Sequence, residues 1–310
     1  MDMNGKKRPL VGIALLAYNY GRYIDEAIES LKMQTFQDFE VFLLDDGSND
    51  GTTPEKLRSV QYNKITKKLL YKTNVGNAER RRKQYEIMEN KYILDMSGDD
   101  RLAPEFLEKT VAFLEKHPSY GAVSTDALEY MDTFDGQPFA VLRFNRNKMG
   151  LPEMLSECHC LGTSLMRKKA LDRIDLSGGI KRYQDWDRWI SMLEAGWQIG
   201  LVPEPLFMYR LHNDSLSHSS SAKIETEVFR KMMQKHRKLY NIYSNQIIEA
   251  LFTKFQESGF FNKRLSRQFL SMKEDNDRLK EELNKRIEAE QAEENRTFSQ
   301  RLLGKLKKRK

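Results

Sequence analysis

Leu43-Leu44-Asp45-Asp46-Gly47-Ser48 and, further along, Ser97-Gly98-Asp99-Asp100 share one design. Each closes a short apolar run with adjacent carboxylates and a small residue. Apolar runs of this length read as buried strands. Asp and Gly favour turns, so a single pair is explained by a turn alone. Two pairs ending two strands in the same half of the chain imply a site that holds something. Hard cations carrying phosphate groups are the natural occupants.

The segments around these pairs alternate. Strand patterns cover Leu10–Ala17, Phe39–Leu44, Leu69–Lys72 and Tyr92–Met96. Helix patterns cover Tyr23–Met33, Pro54–Val60, Asn77–Met88 and Pro104–Glu115. Ile24, Ala27, Ile28 and Leu31 form one apolar face; Phe106, Leu107, Val111 and Leu114 form another. This rhythm predicts an α/β fold, a mostly parallel sheet flanked by helices. Ligands of such sheets bind at the carboxyl ends of the strands, where both Asp-Asp pairs fall. The next part is less regular. Strands are expected at Gly121–Leu128, Phe139–Phe144 and Leu161–Met166, with a helix at Trp186–Ala195. Two short strands, Gln198–Val202 and Leu206–Leu211, are expected on either side of Pro203 and Pro205.

Composition bounds the function. The chain has 310 residues, 39% hydrophobic and 31% charged, with a net charge of +7. Residues 297–310 hold six basic residues and no acidic one, which leaves +1 for the remainder. The basic character belongs to the tail, which argues against a nucleic-acid groove. Cys158 and Cys160 flank His159, but structural zinc takes four ligands and no second cluster exists. Free thiols and a cytosolic chain follow. No run approaches a membrane span. Lys6-Lys7-Arg8 before LVGIALLA imitates a signal peptide, but the run passes directly into an amphipathic helix pattern, so it reads as the first strand.

The order of motifs adds identity. LVGIALLAYNYGRYIDEAIESLKMQTFQDFEVFLLDDGSNDGT is followed by NVGNAERRR, YILDMSGDD and YQDWDRWISMLEAGWQIGLVPEPLFMYRLHNDS. This series resembles the family-2 glycosyltransferases, nucleotide-sugar-dependent enzymes of the GT-A fold, over residues 8–217. The resemblance implies a catalytic domain over 1–217, a sugar donor carried on a nucleoside diphosphate with UDP favoured, and Mn²⁺ or Mg²⁺ as cofactor. Tyr18 would stack on the base and Asp46 would bond its edge. Arg81 would contact the nucleotide, with Arg80 and Arg82 as neighbours that leave open which guanidinium does so. Asp99 would meet ribose or metal, Asp100 would ligate the metal, and His212 would complete the metal or phosphate site. Asp185 matches the catalytic base of an inverting displacement, and Asp187 is its competitor. Two residues apart on a helix, the two point about 200° from each other, so only one faces the substrate. Gly162, Thr163 and Trp186 would line the acceptor side. Many members carry Glu at the position of Gln184.

Beyond the motifs, residues 218–262 read as a helical extension and 263–296 as a charged helix or short coiled coil able to form a homo-oligomer. Residues 297–310 read as a basic amphipathic tail suited to an anionic membrane surface. The resemblance implies a glycan or lipid-linked acceptor, in surface polysaccharide or glycoconjugate synthesis, at the inner face of the plasma membrane. The alternatives are a sugar nucleotidyltransferase, whose Gly-rich phosphate loop is missing after the first strand, and a non-catalytic scaffold.

Overall fold

Val11–Leu16 (β1), Phe39–Asp46 (β2) and Tyr92–Ser97 (β4) are the apolar runs of the sequence, and almost every residue in them is buried. They are the centre of a parallel sheet, with β1 between β2 and β4 and Ile65–Tyr71 (β3) outside β2. Ile24–Lys32 (α1), Thr53–Ser59 (α2), Asn77–Ile87 (α3) and Phe106–Lys116 (α4) make the connections. The expected apolar faces of α1 and α4 are buried, and they pack with the inward residues of the strands in one core. Gly12 sits where a Cβ would lie 2.4 Å from Asn90 Oδ1, so only glycine lets β1 pass the turn before β4. Residues 8–176, 180, 182–212, 222–257, 272–286, 288, 289 and 292 are described by this computed structural model.

The second half extends the same sheet. Short Arg101–Leu102 (β5) precedes α4, and long Tyr120–Met131 (β6) follows it; Ala140–Leu142 (β7) forms a hairpin with β6. One-turn helix Glu153–Ser156 (α5) leads to Leu165–Arg167 (β8) and Lys168–Leu171 (α6). Gln184–Glu194 (α7) and Gln198–Leu211 (β9) complete the sheet order β3-β2-β1-β4-β8-β6-β9-β5. β8 is antiparallel to both β4 and β6, so β4, β6 and β9 all point the same way. The reversal has a useful result: the loop that enters β8 lies at the edge where the other strands end.

Two expectations are corrected. Pro203 and Pro205 do not split the last strand. β9 pairs with β6 from Gln198 to Leu211, and the register jumps from Val202↔Thr125 to Pro205↔Asp126 to Phe207↔Ala127. The bulge absorbs the prolines, which cannot donate to a ladder. The strand expected over Leu161–Met166 is only Leu165–Arg167. Ser164 N bonds back to Gly162 O (3.1 Å), and Leu161 N is taken by Ser124 Oγ (3.0 Å), which turns this segment out of the sheet.

The chain divides into two compact units, Met1–Leu239 and Tyr240–Lys310. Ala222–Lys235 (α8) belongs to the first, and Arg237–Ile242 (α9) spans the division. In the second, Ser244–Glu257 (α10) pairs with a helix over 272–286. Asn276 of that helix donates to Ser244 Oγ (2.8 Å) and Asn245 Oδ1 (2.6 Å). Met272, Leu279 and Leu283 of that helix are exposed. Ser215–Ser221, Leu265, Phe269 and the tail 297–310 lie outside the described residues. Among the described residues, no helix is long and apolar enough to cross a membrane.

Candidate active site

The loops after β1 and β2 are tied together. Asn19, in the left-handed region at φ 59°, donates its N–H to Ser48 Oγ (2.9 Å), and its side chain exchanges bonds with Asn49 at 2.9 and 3.0 Å. Asp45 supports this turn by accepting from Ser48 N (2.9 Å) and Ser48 Oγ (2.6 Å). Asp46 is 2% exposed. Its carboxylate takes Arg80 Nε at 2.6 Å and the backbone N–H groups of Val75 and Gly76 at 3.2 and 3.0 Å. Arg80 also donates to Thr73 O (2.9 Å) and lies 3.5 Å over the Tyr71 ring. The three guanidiniums of α3 thus separate. Arg80 latches the 73–76 loop to Asp46, Arg81 pairs with Asp95 of β4 (3.1 Å), and Arg82 pairs with Glu79 and Glu86 at the surface.

Asp99 and Asp100 follow β4, both at most 5% exposed. Asp99 Oδ2 lies 3.1 Å from His212 Nε2, which joins the end of β9 to the pair. Arg210 fixes the turn: its backbone N–H bonds Asp100 Oδ1 (3.1 Å) and its Nε bonds Asp99 O (2.7 Å). Burial and the adjacent Asp99 charge push the Asp100 carboxyl well above the usual carboxylate range, against the pull of Arg210 and Arg81. Burial, with Asp99 and Asp100, also pushes the Tyr20 hydroxyl up. Asp99 Oδ1 is buried without a hydrogen-bond partner among the described residues. An orphaned acceptor beside a second buried carboxylate suits a hard divalent cation, which needs only one or two protein carboxylates when phosphates supply the rest. Among the described residues, no three His, Cys, Asp or Glu side chains converge as a ready-made cage, at Cys158–Cys160 or elsewhere.

α7 brings the third carboxylate. Tyr183 turns the chain into the helix in the left-handed region at φ 55°, a conformation uncommon for an aromatic residue and frequent at functional sites. Asp185 lies against Gly162, where a Cβ would come 3.0 Å from its Oδ2. Asp187 points the other way, as the helical angle requires. It accepts from Lys235 Nζ (2.7 Å) and pairs with His236 Nε2 (2.8 Å), and His236 Nδ1 pairs with Glu194 (2.8 Å). Trp186 donates to Met154 O (2.6 Å), and Trp189 is fully buried core.

A cavity of about 530 Å³ joins these groups. Its lining includes Arg81, Asp99, Asp100, Gly162, Thr163 and Asp185. Tyr18, Asp46, Trp186 and His212 stand outside this lining. Tyr20 lines the cavity and was not anticipated. Asp95, Tyr85 and Arg188 also line it and were not anticipated. Asp95 carried a signal, an acid within an otherwise apolar strand; Arg188 on α7 did not.

A parallel α/β sheet with buried paired carboxylates at its carboxyl edge, facing a further carboxylate on a late helix, is the architecture of a GT-A glycosyltransferase. Comparison with known proteins gives the family: residues 13–175 match glycosyl transferase family 2. The chain belongs to that family and is a glycosyltransferase. It is 31% identical over 216 residues to the putative glycosyltransferase EpsE of Bacillus subtilis (strain 168), covering 68% of this chain and 77% of EpsE. It is 27% identical over 238 residues to the putative teichuronic acid biosynthesis glycosyltransferase TuaG of the same organism, covering 74% and 90%. Among solved structures, S. aureus TarS 1-349 in complex with UDP superposes with a TM-score of 0.55 at 20% identity, covering 79% of this chain and 72% of that one. At that identity the likeness supports the fold.

Proposed function

We propose that this protein is an inverting, divalent-metal-dependent glycosyltransferase that moves a sugar from a UDP-sugar to a hydroxyl of a glycan or lipid-linked acceptor. The observation that carries the reading is the shared cavity, whose lining includes Asp99, Asp100 and Asp185, the last beside Gly162. Arg81 contacts the nucleotide, Tyr18 and Asp46 form its base pocket, and Asp99 bonds ribose. Mn²⁺ or Mg²⁺ on Asp100, with His212, would neutralise the charge that grows on the departing diphosphate. Asp185 accepts the proton of the acceptor hydroxyl as that oxygen attacks the anomeric carbon from the face opposite the leaving group. One displacement with one base inverts the centre. Asp187 is unsuited to that role, since Lys235 and His236 occupy it.

TarS, the fold neighbour, binds UDP, which supports the donor class. TuaG, named for teichuronic acid biosynthesis, supports an acceptor that is a surface glycan. In this reading the enzyme works at the inner face of the plasma membrane, held there by residues 297–310.

The test has two stages. A thermal-shift panel of UDP-, GDP-, dTDP- and CDP-sugars, with and without Mn²⁺, identifies the donor, because a ligand of the native state raises its stability. With that donor, Asp185→Asn retains binding and loses transfer by about 10²–10⁴-fold. Transfer that survives in Asp185→Asn overturns the assignment, and a panel without any shift overturns the donor reading.

A further inference from the structure

Asp95 and Arg188 are an ion pair in an unusual place. Asp95 sits inside β4, and Arg188 is three residues after Asp185 on α7; both are at most 5% exposed. Arg188 Nη1 meets Asp95 Oδ2 and the Tyr85 hydroxyl, and Nη2 donates to Gly162 O at 3.1 Å. On its other oxygen, Asp95 pairs with Arg81 (3.1 Å). One cluster therefore spans the donor wall, the floor strand, the acceptor loop and the helix of the proposed base.

Such a pair is not needed for stability, since a well-packed apolar pair in the same volume does as well or better. What it adds is geometry. The Arg188 fork grips the carbonyl of Gly162, and the same residue's Cα is the surface on which the Asp185 carboxylate rests. Residues three apart share a helix face, so Asp185 and Arg188 approach Gly162 together. The charges also do not cancel: two guanidiniums, of Arg81 and Arg188, share the single carboxylate of Asp95. The remaining positive charge is held beside Asp185, whose carboxylate is among the charges that favour the ionised Arg188.

We propose that Arg188, braced by Asp95, is a positioning residue. It fixes the Gly162 peptide and the start of α7 so that the Asp185 carboxylate is aimed into the cavity. The inference rests on Asp185 being the base. It gives the donor-side Arg81 a direct mechanical link to the acceptor side through one buried carboxylate.

The experiment compares four proteins: wild type, Asp95→Leu with Arg188→Met, Arg188→Lys, and Asp185→Asn. The sugar nucleotide is the one giving the largest thermal shift in the panel above, with Mn²⁺; release of nucleoside diphosphate is the readout. The apolar double variant removes the Asp95–Arg188 pair together but also takes Asp95 from Arg81, so a fall in melting temperature of several degrees is expected. Its kcat falls about 10–100-fold, as expected when a reacting group drifts by a fraction of an ångström to an ångström. Arg188→Lys leaves Asp95 in place for Arg81, so its donor KM stays within about threefold of wild type. Arg188→Lys keeps the charge without the fork and falls between the two. A double variant with wild-type kcat refutes the brace, as does an Arg188→Lys kcat loss matched by an equal rise in donor KM. If the double variant does not fold, Arg188→Lys decides, and an unchanged kcat there refutes the brace. Transfer retained in Asp185→Asn removes the base reading instead, independently of the brace.

Discussion

Replacing Arg80 with methionine isolates the strongest buried ion pair of the donor side. The side chain is 3% exposed and its partner Asp46 is 2% exposed, so solvent does little to screen either. Methionine fills a similar volume but removes the 2.6 Å bond to Asp46, the 2.9 Å bond to Thr73 O and the stacking over Tyr71. Asp46 keeps only the N–H groups of Val75 and Gly76. Removing one partner of a buried pair costs about 3–5 kcal/mol, because it leaves the other charge buried and uncompensated. For a unit of this size each kcal/mol lowers the melting temperature by about 2–4 °C, so a fall of roughly 6–20 °C is expected. Adding Asp46→Asn removes the stranded charge while keeping an oxygen for Gly76 N–H, and recovers at least about 2 kcal/mol. Urea unfolding of the wild type, the single and the double variant, each titrated with the chosen donor, measures both quantities. The double variant regains stability but binds donor more weakly than wild type if Asp46 forms the base pocket as proposed. A loss below about 1 kcal/mol in Arg80→Met, or no recovery in the double variant, would show that the pair does not latch the loop.

Three further outcomes follow from the geometry. Asp187→Asn weakens the links to Lys235 and His236 and lowers stability by about 1–3 kcal/mol, with kcat within about threefold of wild type; a loss of transfer like that of Asp185→Asn would make Asp187 the base. Gly200→Ala drives a Cβ to 2.3 Å from the Phe113 ring and costs about 1–3 kcal/mol in urea unfolding; an unchanged midpoint would refute that close packing. Burial alone would raise the Asp95 carboxyl, but Arg81, Arg188 and Tyr85 together hold it below its ordinary value. Its folded pKa is depressed, so its contribution is complete above the unfolded value of about 3.9 and is lost as pH falls through the folded one. Below pH 4 the Asp95→Leu, Arg188→Met variant therefore loses stability less steeply than wild type, by up to about 1.4 kcal/mol per pH unit; parallel acid limbs in urea midpoints would refute the assignment.

The N-terminal half of the fold was legible because its signals are local. Unbroken apolar strands, amphipathic helices and turn residues fall in the order a parallel sheet needs, and the apolar faces named for α1 and α4 are the buried ones. The errors came where pairing partners are distant. Pro203 and Pro205 look like strand breakers until β6 supplies a partner able to take a bulge. Leu161–Ser164 looks like strand until Ser124, far back in the chain, claims the Leu161 N–H. The site divides in the same way. The helical angle between Asp185 and Asp187 showed that only one could face the substrate. The resemblance named Asp185; that Lys235 and His236, about fifty residues downstream, engage Asp187 lies beyond any local pattern. Arg80 and Arg81 could not be told apart in sequence, because their partners Asp46 and Asp95 come from β2 and β4, whereas the Glu79 and Glu86 that hold Arg82 lie on its own helix.

The reversed strand β8 has a practical meaning for anyone wishing to redirect this enzyme. Its entry loop lends Cys158, Cys160, Leu161, Gly162 and Thr163 to the cavity, the side proposed to take the acceptor, yet the loop hangs from three residues of ladder, Leu165–Arg167. That segment is a natural cassette. Exchanging it among relatives, with Gly162 retained for Asp185, would transplant acceptor preference while leaving the donor machinery and its scaffold intact.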